Sequence, residues 1–322
     1  GAGIPALAAA LLAARGGQAS DPGRHFRLAI HRAFSITGAG TVVTGAVIAG
    51  HAAVGDSLTV SPLGREVRVR GMQSGGRKRD AIGPGERCAV NLTGIDAGEV
   101  RRGDWLVAPG GHAPTSRIEA GVTLLAGRPA PLRHDARVHL HYGAAALRAR
   151  VLVPRQRALA PGTATAVQLV LDGATVAVSG DRFVLRDASG RELLGGGVVL
   201  DPLATAQRRP PGLRAARAQA MARPDPADKL LALARAPGIE ADTGWFARAC
   251  NLTAQAMAGL LDGGGLVLAG KGSNLAIAAE RYGKLGDSLI AALEHYHREN
   301  PGEGGMPRRL ARNLLAEPVS TD

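Results

Sequence analysis

The sequence predicts a multi-domain chain: two antiparallel β-barrels followed by one or more α/β winged-helix domains. Three observations carry that expectation. From Phe26 to about Pro109 the apolar residues recur every second position. A second series with the same period runs from Ile118 to Leu200. Beyond Pro224 the period lengthens to that of helices and ends in a short hairpin.

The chain opens with an apolar stretch, Ile4 to Ala14, too short to cross a bilayer and stopped by Arg15, Gly16 and Gly17. It reads as the last turns of a core helix whose partner lies upstream, so residues 1–20 are assigned to the end of a preceding domain plus a linker. In the first β series, Phe26, Leu28 and Ile30 alternate with Arg27, Ala29 and His31, and Val67 and Val69 alternate with Arg68 and Arg70. The β-branched run Thr41 to Thr44 and the segment Ala89 to Leu92 supply further strands, with Gly and Pro between them. Short strands at this spacing, uninterrupted by helix, specify a small barrel over residues 21–112. Residues 113–203 repeat the pattern. Residues 204–224 are rich in proline and arginine and read as an exposed, mobile linker.

Helical spacing then places helices at Ala227–Ala236 and Thr243–Cys250, and a third capped by Thr253 with Met257, Leu260 and Leu261 on its buried stripe. Strands at Leu266–Ala269 and Leu275–Ala278 flank the turn Gly270–Asn274, giving a winged helix over 225–283. A further helix is expected near Leu285 through Tyr296, within a partial second winged helix over 284–322.

With 322 residues and 45% hydrophobic residues, packed cores are well supplied. Aromatic residues make up only 3%, so aliphatic side chains and alanine must fill them. The net charge of +12 rests on arginine, because Lys78, Lys229, Lys271 and Lys284 are the only lysines. Such an excess draws a chain toward polyanions, though an arginine-rich codon bias gives the same sum. Cys88 and Cys250 form no CxxC pair, which argues against a disulfide framework or zinc site and fits a reducing, cytoplasmic setting.

Two stretches imitate phosphate loops. Gly38–Gly45 leads into a β-branched run rather than a helix, so its glycines are turn and bulge residues. Gly265, Gly270 and Lys271 have P-loop spacing, but Gly272 stands where the Mg²⁺-binding hydroxyl belongs. The chain is therefore expected neither to hydrolyse GTP alone nor to hold a catalytic site. His139 and His141 share a strand face but lack a third ligand, so no metal is expected. The clusters Arg77-Lys78-Arg79, Arg101-Arg102, Arg208-Arg209 and Arg308-Arg309, with Lys271 at the wing tip, are candidate phosphate contacts.

The segment FRLAIHRAFSITGAGTVVTGAVIAGHAAVGDSLTVSP (Phe26–Pro62) resembles the opening of the second domain of translational GTPases such as elongation factor Tu. GERCAVNLTGID (Gly85–Asp96) and RRGDWLVAP (Arg101–Pro109) resemble later strands of that domain. Their wording, the following RVHLHYGAAALRARVL, and HRENPGEGGMPR (His297–Arg308) are most similar to the selenocysteine-specific elongation factors. The resemblance implies that the barrels are domains 2 and 3 of such a factor, with GTP and Mg²⁺ handled by a GTPase domain outside this chain. It also implies that the barrels clasp selenocysteinyl-tRNA, that the ribosome is a partner, and that the mRNA selenocysteine-insertion hairpin binds further winged helices. The pocket for the amino acid would use Arg32 and Arg87, with His31 standing where the family usually has aspartate. A winged-helix DNA-binding regulator and a generic elongation factor Tu-like module are the alternatives. The candidate recognition helix Thr253–Leu261 has no Arg or Lys, which weakens the first, and the winged-helix tail weakens the second.

Overall fold

The computed structural model describes residues 3–14, 23–38, 40–154, 157–206, 210–239, 241–263, 265–270 and 272–314. The chain divides into two compact units. The first comprises Gly1–Pro114 with His141–Ala146 and Ala174–Val176; the second comprises Thr115–Leu140, Leu147–Gly173 and Ala177–Asp322.

The first unit opens with helix α1 (Ile4–Ala14), whose Ile4, Leu7, Leu11 and Leu12 are exposed. Strands β1 (Arg27–Ile36), β2 (Gly40–Ala49), β3 (Ala52–Ala53), β4 (Ser57–Ser61), β5 (Arg65–Ser74), β6 (Arg77–Arg79), β7 (Ala81–Ile82), β8 (Arg87–Thr93) and β9 (Trp105–Val107) follow. They run in the order β4-β9-β1-β2-β8-β5-β6, and pairing of β4 with β5 closes the first six into a barrel. The alternation seen in the sequence is the inside–outside code: Val67 and Val69 are buried while Arg68 and Arg70 are exposed. Leu28, Ile30, Val43, Val90, Leu92 and Leu106 meet in the core. Gly45 opposes Ile30, and a Cβ there would lie 2.2 Å from the carbonyl oxygen of Ala29. Only glycine lets β1 and β2 approach so closely.

Next along the chain, β10 (Thr115–Leu124), β11 (Leu132–Arg133), β12 (Ala136–Tyr142), β13 (Ala145–Leu152), β14 (Ala158–Leu159), β15 (Ala164–Thr175), β16 (Arg182–Arg186) and β17 (Leu193–Asp201) complete the β series, all within the second unit except the ends of β12, β13 and β15 that fall in His141–Ala146 and Ala174–Val176. The ring β10-β15-β13-β12-β16-β17 is a closed barrel, and β11 pairs with β14 beside it.

An α/β module follows: α2 (Pro211–Met221), α3 (Pro226–Arg235), β18 (Ala241–Asp242), α4 (Thr243–Cys250), α5 (Ala254–Asp262), β19 (Leu266–Leu268), β20 (Leu275–Ala278), α6 (Ala279–Glu299) and α7 (Arg308–Leu314). Asp225, Asp242 and Thr253 cap α3, α4 and α5 by accepting backbone N–H groups, as their residue types favour. Leu230, Leu233, Phe246, Leu252, Met257 and Ala276 form the core.

Three features differ from expectation. The stretch read as an exposed, mobile linker contains α2, and Arg217, Ala218, Ala220 and Met221 are buried in it. Its arginines find carboxylates on the barrel, described below, which no local pattern reveals. The last long helix starts at Ala279, ahead of Leu285, and runs unbroken across the 283/284 boundary despite Gly283 and Gly286. The hairpin gains a third strand, β18, too short to register as alternation.

Candidate functional site

The outer face of the first barrel carries the candidate site. Cross-strand register places Arg32 opposite Thr44, Thr44 opposite Ala89, Ala89 opposite Gln73, and Gln73 opposite Lys78. Directly opposed residues point to the same face, so one row crosses β1, β2, β8, β5 and β6 with a cation at either end. Arg87 lies two residues before Ala89 on β8 and shares that face.

His31 joins this face through a β-bulge. The register slips between Ile30 and Arg32, so His31 leaves the strict alternation of β1. Its Nδ1 accepts a hydrogen bond from Nη2 of Arg87 at 3.2 Å. Partial burial, then the charges of Arg87 and Arg102, lower its pKa from 6.5. At neutral pH the ring is uncharged and serves as an acceptor. His31 therefore adds no positive charge of its own to the face.

Beside Arg87 is an open hollow of about 220 Å³ whose wall includes Thr44, Gln73, Gly75, Gly76 and Ala89. Gly75 and Gly76 take φ of 58° and 76°, the left-handed turn that joins β5 to β6. Having no side chains, they leave the hollow uncovered. The turn leads into Arg77, Lys78 and Arg79, all exposed, with Arg79 paired to Glu86 at 3.4 Å. Arg102 contributes to the field at His31, and its Nε donates to the carbonyl of Ala144 at 3.3 Å. Arg101 donates its backbone N–H to Asp104 at 2.7 Å. Lys271 lies outside the described residues, as do Arg208 and Arg209.

Of the residues anticipated from the sequence, the structure joins His31 to Arg87 and sets Arg32 and Lys78 in one row. Gln73 and the Gly75-Gly76 turn were not anticipated, because only the register between β5, β6 and β8 reveals their place. Chemically the face offers cationic and hydrogen-bonding groups around a small hollow. Cys88 borders it, but burial and then Glu86 push its thiol up to about 11, so it is no nucleophile at neutral pH. Among the described residues no group of three or more His, Cys, Asp and Glu could hold a metal ion, and no helix is long and apolar enough to cross a membrane.

The family model described as the selenocysteine-specific elongation factor β-barrel domain matches residues 119–206. A selenocysteine-specific elongation factor of Escherichia coli (strain K12) is 32% identical over 294 residues, 90% of this chain and 45% of that protein. The chain belongs to the selenocysteine-specific elongation factor family. A family member from Desulfomicrobium baculatum is 34% identical over 184 residues, covering 57% of this chain and 29% of that one. The chain thus spans less than half the length of these relatives. The crystal structure of a bacterial selenocysteine-specific elongation factor, EF-Sec, superposes over 98% of this chain and 49% of its own with a TM-score of 0.62. At 18% identity that match shows the shared fold alone.

Proposed function

We propose that the outer face of the first barrel receives the aminoacyl end of selenocysteinyl-tRNA, and that the protein serves its delivery to the ribosome at recoded UGA codons. The observation that carries this reading is the position of Arg87 in the wall of the hollow, bonded to His31, with Arg32 paired across from Thr44 of the same wall. A selenol ionises below neutral pH, whereas the hydroxyl of serine stays neutral, so fixed guanidinium groups can separate the two by charge. A unit charge pair about 4 Å apart is worth about 1 kcal/mol in bulk water and ~4 kcal/mol at an effective dielectric near 20. Each arginine thereby supplies a preference on the order of tenfold or more. His31, neutral and bonded to Arg87, orients that guanidinium without cancelling its charge.

The exposed Arg77, Lys78 and Arg79 extend the positive surface for tRNA phosphates. In this reading GTP and Mg²⁺ belong to a GTPase domain of the family, the α/β module is a winged helix, and further winged helices of the family take the mRNA hairpin. The test is the affinity of this protein for selenocysteinyl-tRNA relative to seryl-tRNA. The preference should fall at least tenfold in Arg87→Ala and in Arg32→Ala. An undiminished preference in both variants would overturn the pocket.

A further inference from the structure

The second unit contains a cleft of about 740 Å³, within the ~300–1,000 Å³ span of small-molecule sites. Barrel strands and the start of α2 line it, and it shares no residue with the hollow near Arg87. Its charged groups are Arg117, Arg214 and Glu119. Arg117 uses one guanidinium N–H, from Nη1 to Gln168 Oε1 at 2.7 Å; its other guanidinium N–H groups bond to no described residue. Gln168 is itself held, donating Nε2 to the carbonyl of Thr205 at 3.0 Å. His134 Nδ1 lies 2.9 Å from the carbonyl oxygen and 3.1 Å from the backbone nitrogen of Val153, so that edge of the ring is engaged with the barrel backbone.

Arg214 donates Nε to Glu119, which is buried. Its Nη2 is closed off from solvent with no acceptor among the described residues. The part of the Arg214 side chain that lines the cleft is its remaining surface, one quarter of the side chain being exposed. The one carboxylate of the lining, Glu119, is already engaged by Arg214. The remaining walls are apolar, including Leu152, Pro154, Ala166 and Pro211.

We propose that this cleft binds a small amphiphilic organic anion. Its carboxylate or phosphate head is taken by Arg117 and Arg214, whose planar forks match both head groups. Its aliphatic body lies against Leu152, Pro154 and Pro211. Such a ligand would touch both a barrel strand and α2, and so favours the arrangement in which they meet.

The test uses ligand-observed NMR and thermal melting of the whole chain with four probes: hexanoate, hexyl phosphate, hexanol and acetate. Hexanoate or hexyl phosphate should bind saturably, at least tenfold tighter than hexanol and acetate, and raise the melting temperature. Whichever of the two binds more tightly identifies the head group. Arg117→Gln should weaken that binding about tenfold. Ala215→Phe, a change at an exposed lining position on α2, should abolish it while leaving the ligand-free melting temperature unchanged. The proposal fails if hexanol binds as well as the anions, if acetate matches the longer probes, if neither long anion binds, or if Ala215→Phe binds as the parent does.

Discussion

Glu119 and Asp201 stand directly opposite each other on β10 and β17, and both are buried. Two like charges in that relation repel, and each is answered from α2. Arg214 donates Nε to Glu119, and Arg217, three residues later on the same helix face, donates Nε to Asp201 at 3.3 Å. Arg217 also lies 3.6 Å from the ring centroid of Trp245 on α4, a stacking that suits guanidinium. One buried arginine thus joins barrel, α2 and α4 within the second unit.

Replacing Arg217 removes a cation bonded to the buried Asp201. Arg217→Met should destabilise the second unit by about 3–5 kcal/mol, the usual cost of breaking a buried pair from one side. The double variant Arg217→Met with Asp201→Asn should recover much of that loss, because no lone charge remains. Urea unfolding of the two variants measures the difference. Equal stability of single and double variants would show that the charge pair is not what holds α2.

The clamp also marks the limit of what the sequence discloses. Both barrels were legible, since a strand with one buried face must alternate, as Val67, Arg68, Val69 and Arg70 do. The cap Thr253, named from the sequence, acts through a neighbour three residues away; Asp242, which caps α4 in the same way, was not named. Helix α2 was not: its prolines and arginines look like linker until Glu119, 95 residues earlier, and Asp201 are placed beside it. The site divides likewise. Arg32 and Arg87 were named from motif wording, but the bond between Arg87 and His31 joins residues 56 apart. The row from Arg32 to Lys78 depends on a bulge and on strand register, which no local pattern fixes.

The His31 ring gives a pH test. Its folded pKa lies below the ordinary 6.5, so the unfolded chain binds more protons between the two values. The associated stability is present above about pH 6.5 and is lost as pH falls toward the folded value. Protonation also removes the lone pair that accepts from Arg87. In an imidazole ¹⁵N titration the inflection of His31 should fall below 6.5, and Arg87→Ala should move it upward by removing a nearby cation and a donor to the neutral ring. An inflection that does not move in the variant would refute the coupling.

Cys88 should be chemically quiet although it borders the hollow. With its thiol raised to about 11, the thiolate at pH 8 is on the order of one molecule in a thousand. Iodoacetamide should modify native Cys88 at least a hundredfold more slowly than in urea, with the rate climbing as pH rises toward 11. Peptide mapping separates it from Cys250, which is also buried. Rapid native labelling at pH 7 would contradict the burial on which that reasoning rests.

Arg27 offers the last test, inside the first unit. It is only 2% exposed, sits 4.5 Å from the Trp105 ring centroid, and donates Nη2 to Tyr142 Oη at 2.7 Å and to the Val176 carbonyl at 3.1 Å. Tyr142 Oη in turn donates to the same carbonyl at 2.8 Å. The phenol therefore receives a charged donor and passes the bond on, so its removal costs more than a neutral hydrogen bond. Tyr142→Phe should destabilise by about 1.5–3 kcal/mol, the range for hydrogen bonds to charged groups. The ring contact with Trp105, 5.3 Å between centroids, survives that change, so the loss reports the hydroxyl alone. Tyr142→Leu removes the ring as well and should cost more, by about 0.5–1.5 kcal/mol for the aromatic pair. Denaturant unfolding followed by tryptophan fluorescence reads both variants. If Tyr142→Phe is as stable as the parent, the triangle of Arg27, Tyr142 and Val176 does not hold the buried guanidinium.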